Sequence, residues 1–377
     1  MFTVRLAMAF QFQSVAAVAP LLGQSFGVGL ADIGILIGLY FTPGVALALP
    51  GGAIGERFGD KHTVLLALLL MLIGSLAMAL SDSWTVQIVG RLVAGGGGVL
   101  LNVQMTKMVA DWFTGKEIAT AMAVFVNSWP AGVAIALLTL PSIGTAYGIS
   151  AVYFAVAALS GVGFVLLAVG YRSPAQTAVS ATASAWPGRH AAVAVIVAGL
   201  IWGLFNVGFA VIFSFGPSML VERGWSIASA GSTISIVLWL TALSVPSGGL
   251  LADRTKRPQT ILVAGCVVFA ILMIALPRSG AVVWTVVALG LVCGQPAGPI
   301  MSLPARVLRP ETRAIGMGVF YTVYYAAMML GPVVGGACAK WTGSAGAAFD
   351  FGAVAVLACP VLLWGFNRIP VGVAKPA

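Results

Sequence analysis

Apolar stretches of about 20 residues follow one another along this chain with hardly a charge inside them. A stretch of that length crosses the hydrocarbon core of a bilayer as a helix. Twelve can be delimited, roughly 2–25, 33–54, 64–81, 84–107, 119–139, 147–170, 191–216, 228–250, 260–277, 281–303, 315–337 and 347–367. They are continuously apolar and do not alternate, which argues against a β-barrel. Of the 377 residues only 8% are charged, against about 25% in a soluble domain. The bilayer is therefore this chain's solvent.

In so apolar a chain a charge cluster that occurs twice is informative. Gly52-Ala-Ile-Gly-Glu56-Arg57-Phe58-Gly59-Asp60-Lys61 follows the second stretch, and Gly249-Leu-Leu-Ala-Asp253-Arg254 follows the eighth. Gly52, Glu56 and Arg57 match Gly249, Asp253 and Arg254 at a constant offset of 197 residues. A second match, Lys116–Phe125 against Glu311–Phe320, has an offset of 195. Such repeats indicate an internal duplication. The polar, Ser/Ala/Thr/Pro-rich segment 171–190 separates the copies and reads as a linker. The expected fold is all-α and membrane-embedded, with twelve transmembrane helices in two pseudo-symmetric six-helix bundles. The expected domains are residues 1–170, the linker 171–190, and residues 191–377.

Lys and Arg orient the spans. With both termini in the cytoplasm, fifteen of the nineteen lie on that side, Arg5 and Arg57 among them. Arg223, Arg278 and Lys340 fall outside, and Arg91 falls inside the membrane. The net charge of +9 is thus a topology signal, not a nucleic-acid patch. The first stretch carries no cleavage site and reads as a retained anchor. Cys266, Cys293, Cys338 and Cys359 form no C-x-x-C pair and read as packing residues.

Arg91 is the one charge placed well inside a span, and such a charge is a functional candidate by default. Helical phase puts Gly95, Gly98 and Asn102 on its face. The alternative is structural, with Arg91 donating to carbonyls of a neighbouring helix. Gln11, Gln13, Asn127, Asn206 and Gln295 are buried by position, where unpaired polar groups are costly. Tyr321, Tyr324, Tyr325 and Met328 form a stripe at helical spacing, and Trp129 and Trp202 add candidate walls. These residues are the candidate substrate-binding set. Pro130 and Pro332 are candidate bends. Lys107 stands at the cytoplasmic mouth as a gate residue or as an i,i+4 partner of Asp111.

What is missing narrows the function. None of the ten acidic residues falls at mid-membrane, and His62 and His190 lie in loops. A buried cation without a buried anion favours an anionic solute that supplies its own counter-charge. H-E-x-x-H, G-x-S-x-G and nucleotide-binding loops are absent from the sequence, which argues against an enzyme and against direct ATP drive. No cofactor or metal is called for.

The loop after the second span is similar to the G-x-L-a-D-R-x-G-r-K signature of the major facilitator superfamily. Gly52, Arg57, Gly59 and Lys61 fit, and Glu56 stands where Asp is usual. The fourth span resembles the superfamily's R-x-x-q-G-x-g motif through Arg91, Gly95 and Gly97, with Ala94 replacing the polar residue. Lys107–Phe113 and Tyr321–Tyr325 resemble the cyanate-permease-like and nitroimidazole-transporter-like subgroup. The chain departs from drug–proton antiporters, whose G-P-x-x-G-G pattern belongs in the fifth span; Gly331–Gly336 places a lookalike in the eleventh.

The resemblance implies a secondary or facilitated transporter working by alternating access. It implies that Gly52, Glu56, Arg57, Gly59, Lys61, Lys107, Asp111, Gly249, Asp253, Arg254 and Arg313 form a cytoplasmic gate. Together with the missing buried carboxylates, it implies a small organic or inorganic anion as solute. The alternatives are an exporter of neutral or weakly basic compounds and, from another class, a membrane-embedded enzyme or receptor scaffold. The expected setting is the cell membrane, as a multi-pass monomer.

Overall fold

The computed structural model describes residues 1–113, 118–172 and 186–370, without the side chains of 51–53, 56, 110, 111, 118–120, 122, 123, 310 and 314. The described residues are almost entirely helical, with no strand among them. In chain order the helices are α1 (Phe2–Ala17), α2 (Ala19–Phe26), α3 (Leu30–Leu39), α4 (Thr42–Leu47), α5 (Gly51–Phe58), α6 (Asp60–Ala79), α7 (Trp84–Phe113), α8 (Ile118–Tyr147) and α9 (Ile149–Gly170). Beyond residue 186 come α10 (Arg189–Glu222), α11 (Ile227–Thr255), α12 (Pro258–Ala275), α13 (Val282–Cys293), α14 (Ala297–Met301), α15 (Arg313–Thr342) and α16 (Gly346–Phe366).

Eleven stretches among the described residues are long and apolar enough to cross a membrane. The pair α1 and α2, bent by 55°, makes a twelfth if taken as one span. Proline explains the interruptions. Pro20 sits in the first turn of α2 and Pro43 in the first turn of α4. A proline has no N–H and cannot continue the ladder of the preceding helix. The second span, expected as one helix over 33–54, is therefore split, with α3 and α4 ending at Leu47 and α5 standing apart. The tenth breaks around Gln295-Pro296 between α13 and α14. Pro130 and Pro332 instead lie inside the continuous helices α8 and α15.

Helices α1 to α9 pack chiefly among themselves, α6 on α7 and α9, and α1 on α8. Helices α10 to α16 do likewise, α10 on α15 and α16, and α11 on α13. Two seams join the groups, α3 with α15 and α8 with α11. Glycines make these seams close. A Cβ at Gly34 would overlap the Pro332 carbonyl, one at Gly336 would meet the Leu30 carbonyl, and one at Gly231 would overlap the Leu137 carbonyl. Small residues let membrane helices approach at this range. These three contacts lie at the end of the bundle opposite Met1, here the far end.

The glycine run in α7 is likewise packing. A Cβ at Gly95 would overlap the Tyr40 carbonyl, one at Gly97 the Ala67 carbonyl, and one at Gly98 the Tyr40 ring. Cys266, Cys293 and Cys359 are buried and Cys338 is half-buried; all four are free.

Candidate functional site

Between the two helix groups lies a cavity of about 200 Å³. Its polar lining comes from Arg5, Asn102, Asn127, Asn206 and Thr241, and its aromatic lining includes Tyr40, Phe41, Trp129, Trp202, Phe205, Tyr324 and Tyr325. Arg5 is the one charged side chain among the described lining residues. The lining residue Val126, on the Met1 side, is 50% exposed.

Arg5 projects from the first turns of α1. Its Nε donates to Asn102 Oδ1 at 3.2 Å. Its Nη1 donates to the carbonyls of Phe125 and Val126 at 2.9 and 3.2 Å. Its guanidinium carbon lies 4.6 Å from the centre of the Phe125 ring. The Val126 carbonyl is available because the residue four positions on is Pro130, which has no amide hydrogen. Asn102 in turn donates to the Tyr325 hydroxyl at 3.2 Å. A polar chain thus runs from α1 through α7 to α15, from one helix group to the other. Nη2 of Arg5 has no partner among the described residues.

The sequence-derived set divides. Asn102, Asn127, Trp129, Asn206, Tyr324 and Tyr325 line the cavity. Asn206 donates to the Trp202 carbonyl at 2.8 Å, and Asn127 makes no hydrogen bond among the described residues. Tyr321 stands behind the lining, its ring 6.2 Å from that of Tyr324. Gln295 does not line the cavity and turns back onto the Leu291 carbonyl. Gln11 donates to the Met71 carbonyl and to Ser75 Oγ, and accepts from Tyr40. Gln13 donates to the Phe213 carbonyl at 2.7 Å and so ties α1 to α10.

Arg91 corrects the expectation of a cavity cation in the fourth span. It is 1% exposed and does not line the cavity. Nε donates to the Leu36 carbonyl, Nη1 to Gln11 and Nη2 to Phe12, at 3.1, 3.1 and 2.6 Å. Its guanidinium carbon lies 4.6 Å from the Tyr40 ring centre. All three nitrogens are taken. Leu36 offers its carbonyl because α3 ends at Leu39 and the Tyr40 amide turns back to Ile37. Arg91 thus fastens α1, α3 and α7 together.

The proposed gate also separates. Lys107 pairs with Asp60 at 2.9 Å, joining α7 to the first turn of α6. Lys61 donates to the Ala168 and Tyr171 carbonyls at 2.8 and 2.9 Å. That caps the C-terminus of α9, where a cation is favoured. Gly59, at φ 81°, makes the turn between α5 and α6. Arg57, Asp253, Arg254 and Arg313 are exposed, and Gly249 is half-buried. Nothing beyond the backbone is described at Gly52, Glu56 and Asp111.

Arg5 is what the sequence reading missed. Counted among the cytoplasmic-side charges, it instead enters the bundle. Its signal was its place inside the first apolar stretch, with Pro130 freeing an acceptor opposite.

Comparison with known proteins agrees with this architecture. Over 343 residues the chain is 24% identical to probable anion transporter 6 of Oryza sativa subsp. japonica, covering 82% of this chain and 79% of that protein. Over 258 residues it is 23% identical to the hexuronate transporter of Bacillus subtilis (strain 168), covering 65% and 61%. The chain thus spans less than two thirds of that second relative. The crystal structure of a D-xylose–proton symporter superposes with a TM-score of 0.78 at 14% identity, over 98% of this chain and 96% of that one. A bacterial homologue of the human lysosomal transporter Spinster, inward-facing and occupied, gives 0.75 at 16% identity, over 100% and 97%. The Major Facilitator Superfamily model matches residues 1–327 and again 191–377. The chain therefore belongs to the Major Facilitator Superfamily, and its fold is that of a multi-pass membrane protein.

Proposed function

We propose that this protein carries a small anion across the membrane by alternating access, with Arg5 as the cation that receives it. The observation that carries this reading is the chemistry of the cavity. Its single charged lining residue is a guanidinium, and no acidic side chain stands among the described lining residues. An anion would supply the missing counter-charge and gain charge-assisted hydrogen bonds. Two relatives bear the names of hexuronate and anion transporters, which supports the class.

The helices before and after the linker act as the two moving bundles, residues 1–170 and 191–377. The concentration of Lys and Arg on the Met1 side supports a cytoplasmic location for that end. The seams closed at the far end and the exposed lining residue Val126 on the Met1 side then support a cytoplasm-facing state. The protein resides in the cell membrane and works as a single chain.

The test is thermal unfolding of the purified chain with panels of anions, cations and neutral compounds. A ligand at a hundredfold excess over its dissociation constant stabilises by about 2.7 kcal/mol. Stabilisation by anions that disappears in Arg5→Gln is the expected result. Stabilisation by lipophilic cations or neutral compounds alone overturns it in favour of an exporter of such compounds.

A further inference from the structure

We propose that the solute is an aromatic monocarboxylate, its carboxylate on Arg5 and its ring against the aromatic walls; this rests on the anion reading above. Three observations narrow the class. The first is the state of the guanidinium. Nε and Nη1 of Arg5 are held by Asn102 and the carbonyls of Phe125 and Val126. Arg5 lines the cavity, and its Nη2 makes no hydrogen bond among the described residues. In Arg91 all three nitrogens are engaged. Arg5 is therefore anchored, oriented and still able to donate, which suits one carboxylate.

The second observation is charge. Arg5 is the single charged group among the described lining residues. A second carboxylate on the solute would enter a low-dielectric site without a partner, at a desolvation cost nothing there repays.

The third is the wall. Trp202 stacks on Phe205 with ring centres 5.7 Å apart and planes at 29°. Tyr324 lies 6.3 Å from Trp202 at a similar tilt, 32°. Across the cavity Trp129 is stacked on Phe12, 5.3 Å away at 29°. Trp202 and Trp129 line the cavity from opposite helix groups, so each bundle contributes an indole ring to its wall. A nitrate or an acetate would leave these rings without an apolar partner. The volume of about 200 Å³ exceeds the roughly 150 Å³ of a cavity that takes up benzene, which leaves room for one ring and its carboxylate. Asn127, with no hydrogen bond among the described residues, offers a polar contact for a ring substituent.

Equilibrium binding to the purified full-length protein, with benzoate, acetate, nitrate and benzamide as probes, tests this. Benzoate is expected to bind at least about tenfold more tightly than acetate or nitrate, and benzamide to bind much more weakly. Trp202→Leu should weaken benzoate about three- to tenfold and leave acetate unchanged. Trp202→Phe keeps a ring and should recover most of the loss, which separates a stacking role from misfolding. Acetate or nitrate binding as tightly as benzoate overturns the aromatic class while the anion reading stands. Benzamide binding as tightly as benzoate, in wild type and Arg5→Gln alike, overturns the anion reading itself. Binding of none of the three anions at millimolar concentration overturns both.

Discussion

Arg5 stands in for the amide hydrogen that Pro130 lacks. The Val126 carbonyl has no donor four residues on, and Arg5 Nη1 donates to it at 3.2 Å. A helix defect in α8 and a charge in α1 thereby satisfy each other. Pro130→Ala would return a backbone donor to that carbonyl, which would then be shared between the amide and Arg5 and so weaken one anchor of Arg5. Proline inside a helix costs about 3 kcal/mol relative to alanine, so the variant should be at least as stable as wild type. Its affinity for the transported anion should nevertheless fall several-fold. Melting and binding measured on one preparation check this, and a parallel change of both would contradict it.

Arg91, which is buried, and Arg5, which is half-buried, predict distinct phenotypes. Arg91 donates to three carbonyls on two helices in a fork geometry that lysine cannot reproduce. Each hydrogen bond to a charged group contributes about 1.5–3 kcal/mol. Arg91→Lys should therefore lower thermal stability by several degrees while the folded fraction keeps its anion affinity. Arg5→Lys also loses hydrogen bonds but at a half-buried site, so it should cost less stability and in addition reduce affinity at least about tenfold. Stability curves and binding isotherms of both variants decide the matter.

The contrast between these residues also measures how far the sequence could be read. The spans were legible because hydrophobic length is a one-dimensional property. Breaks near Pro20 and Pro43 follow from proline chemistry. Asn102, Trp129 and Tyr325 were identifiable as polar or aromatic residues at helical spacing. The roles of Arg91 and Arg5 were not, because each depends on which carbonyls a helix end or a distant proline leaves free. Leu36 and Val126 become acceptors only once α3 stops and Pro130 is set opposite α1. Likewise Lys61 belongs to a gate motif in sequence, but the end of α9 brings two bare carbonyls to its ammonium.

The bond from Asn102 to Tyr325 is a polar link between the helix groups that crosses the cavity lining. Tyr325→Phe removes it and keeps the ring. A neutral hydrogen bond contributes about 0.5–1.5 kcal/mol, so the population ratio of this conformer to others should fall about two- to tenfold. Spin labels on the Met1-side ends of the two groups report that ratio as a distance distribution. An unchanged distribution would mean that the link is absent from the conformational equilibrium.

Closure at the far end rests on glycine contacts that tolerate no side chain. At Gly231 an added Cβ would overlap the Leu137 carbonyl, and at Gly34 that of Pro332. Backbone carbonyls inside helices cannot yield as a flexible side chain can. Gly231→Val should therefore push α11 from α8 at this seam and favour states open at the far end. Gly249→Val, on the same helix with nothing within 4 Å of an added Cβ, is the control. The labelling rate of a single cysteine introduced beside the α8–α11 seam checks the pair. A marked increase is expected for Gly231→Val and little change for Gly249→Val. Equal rates in both would show that the glycine seam does not hold the far end shut.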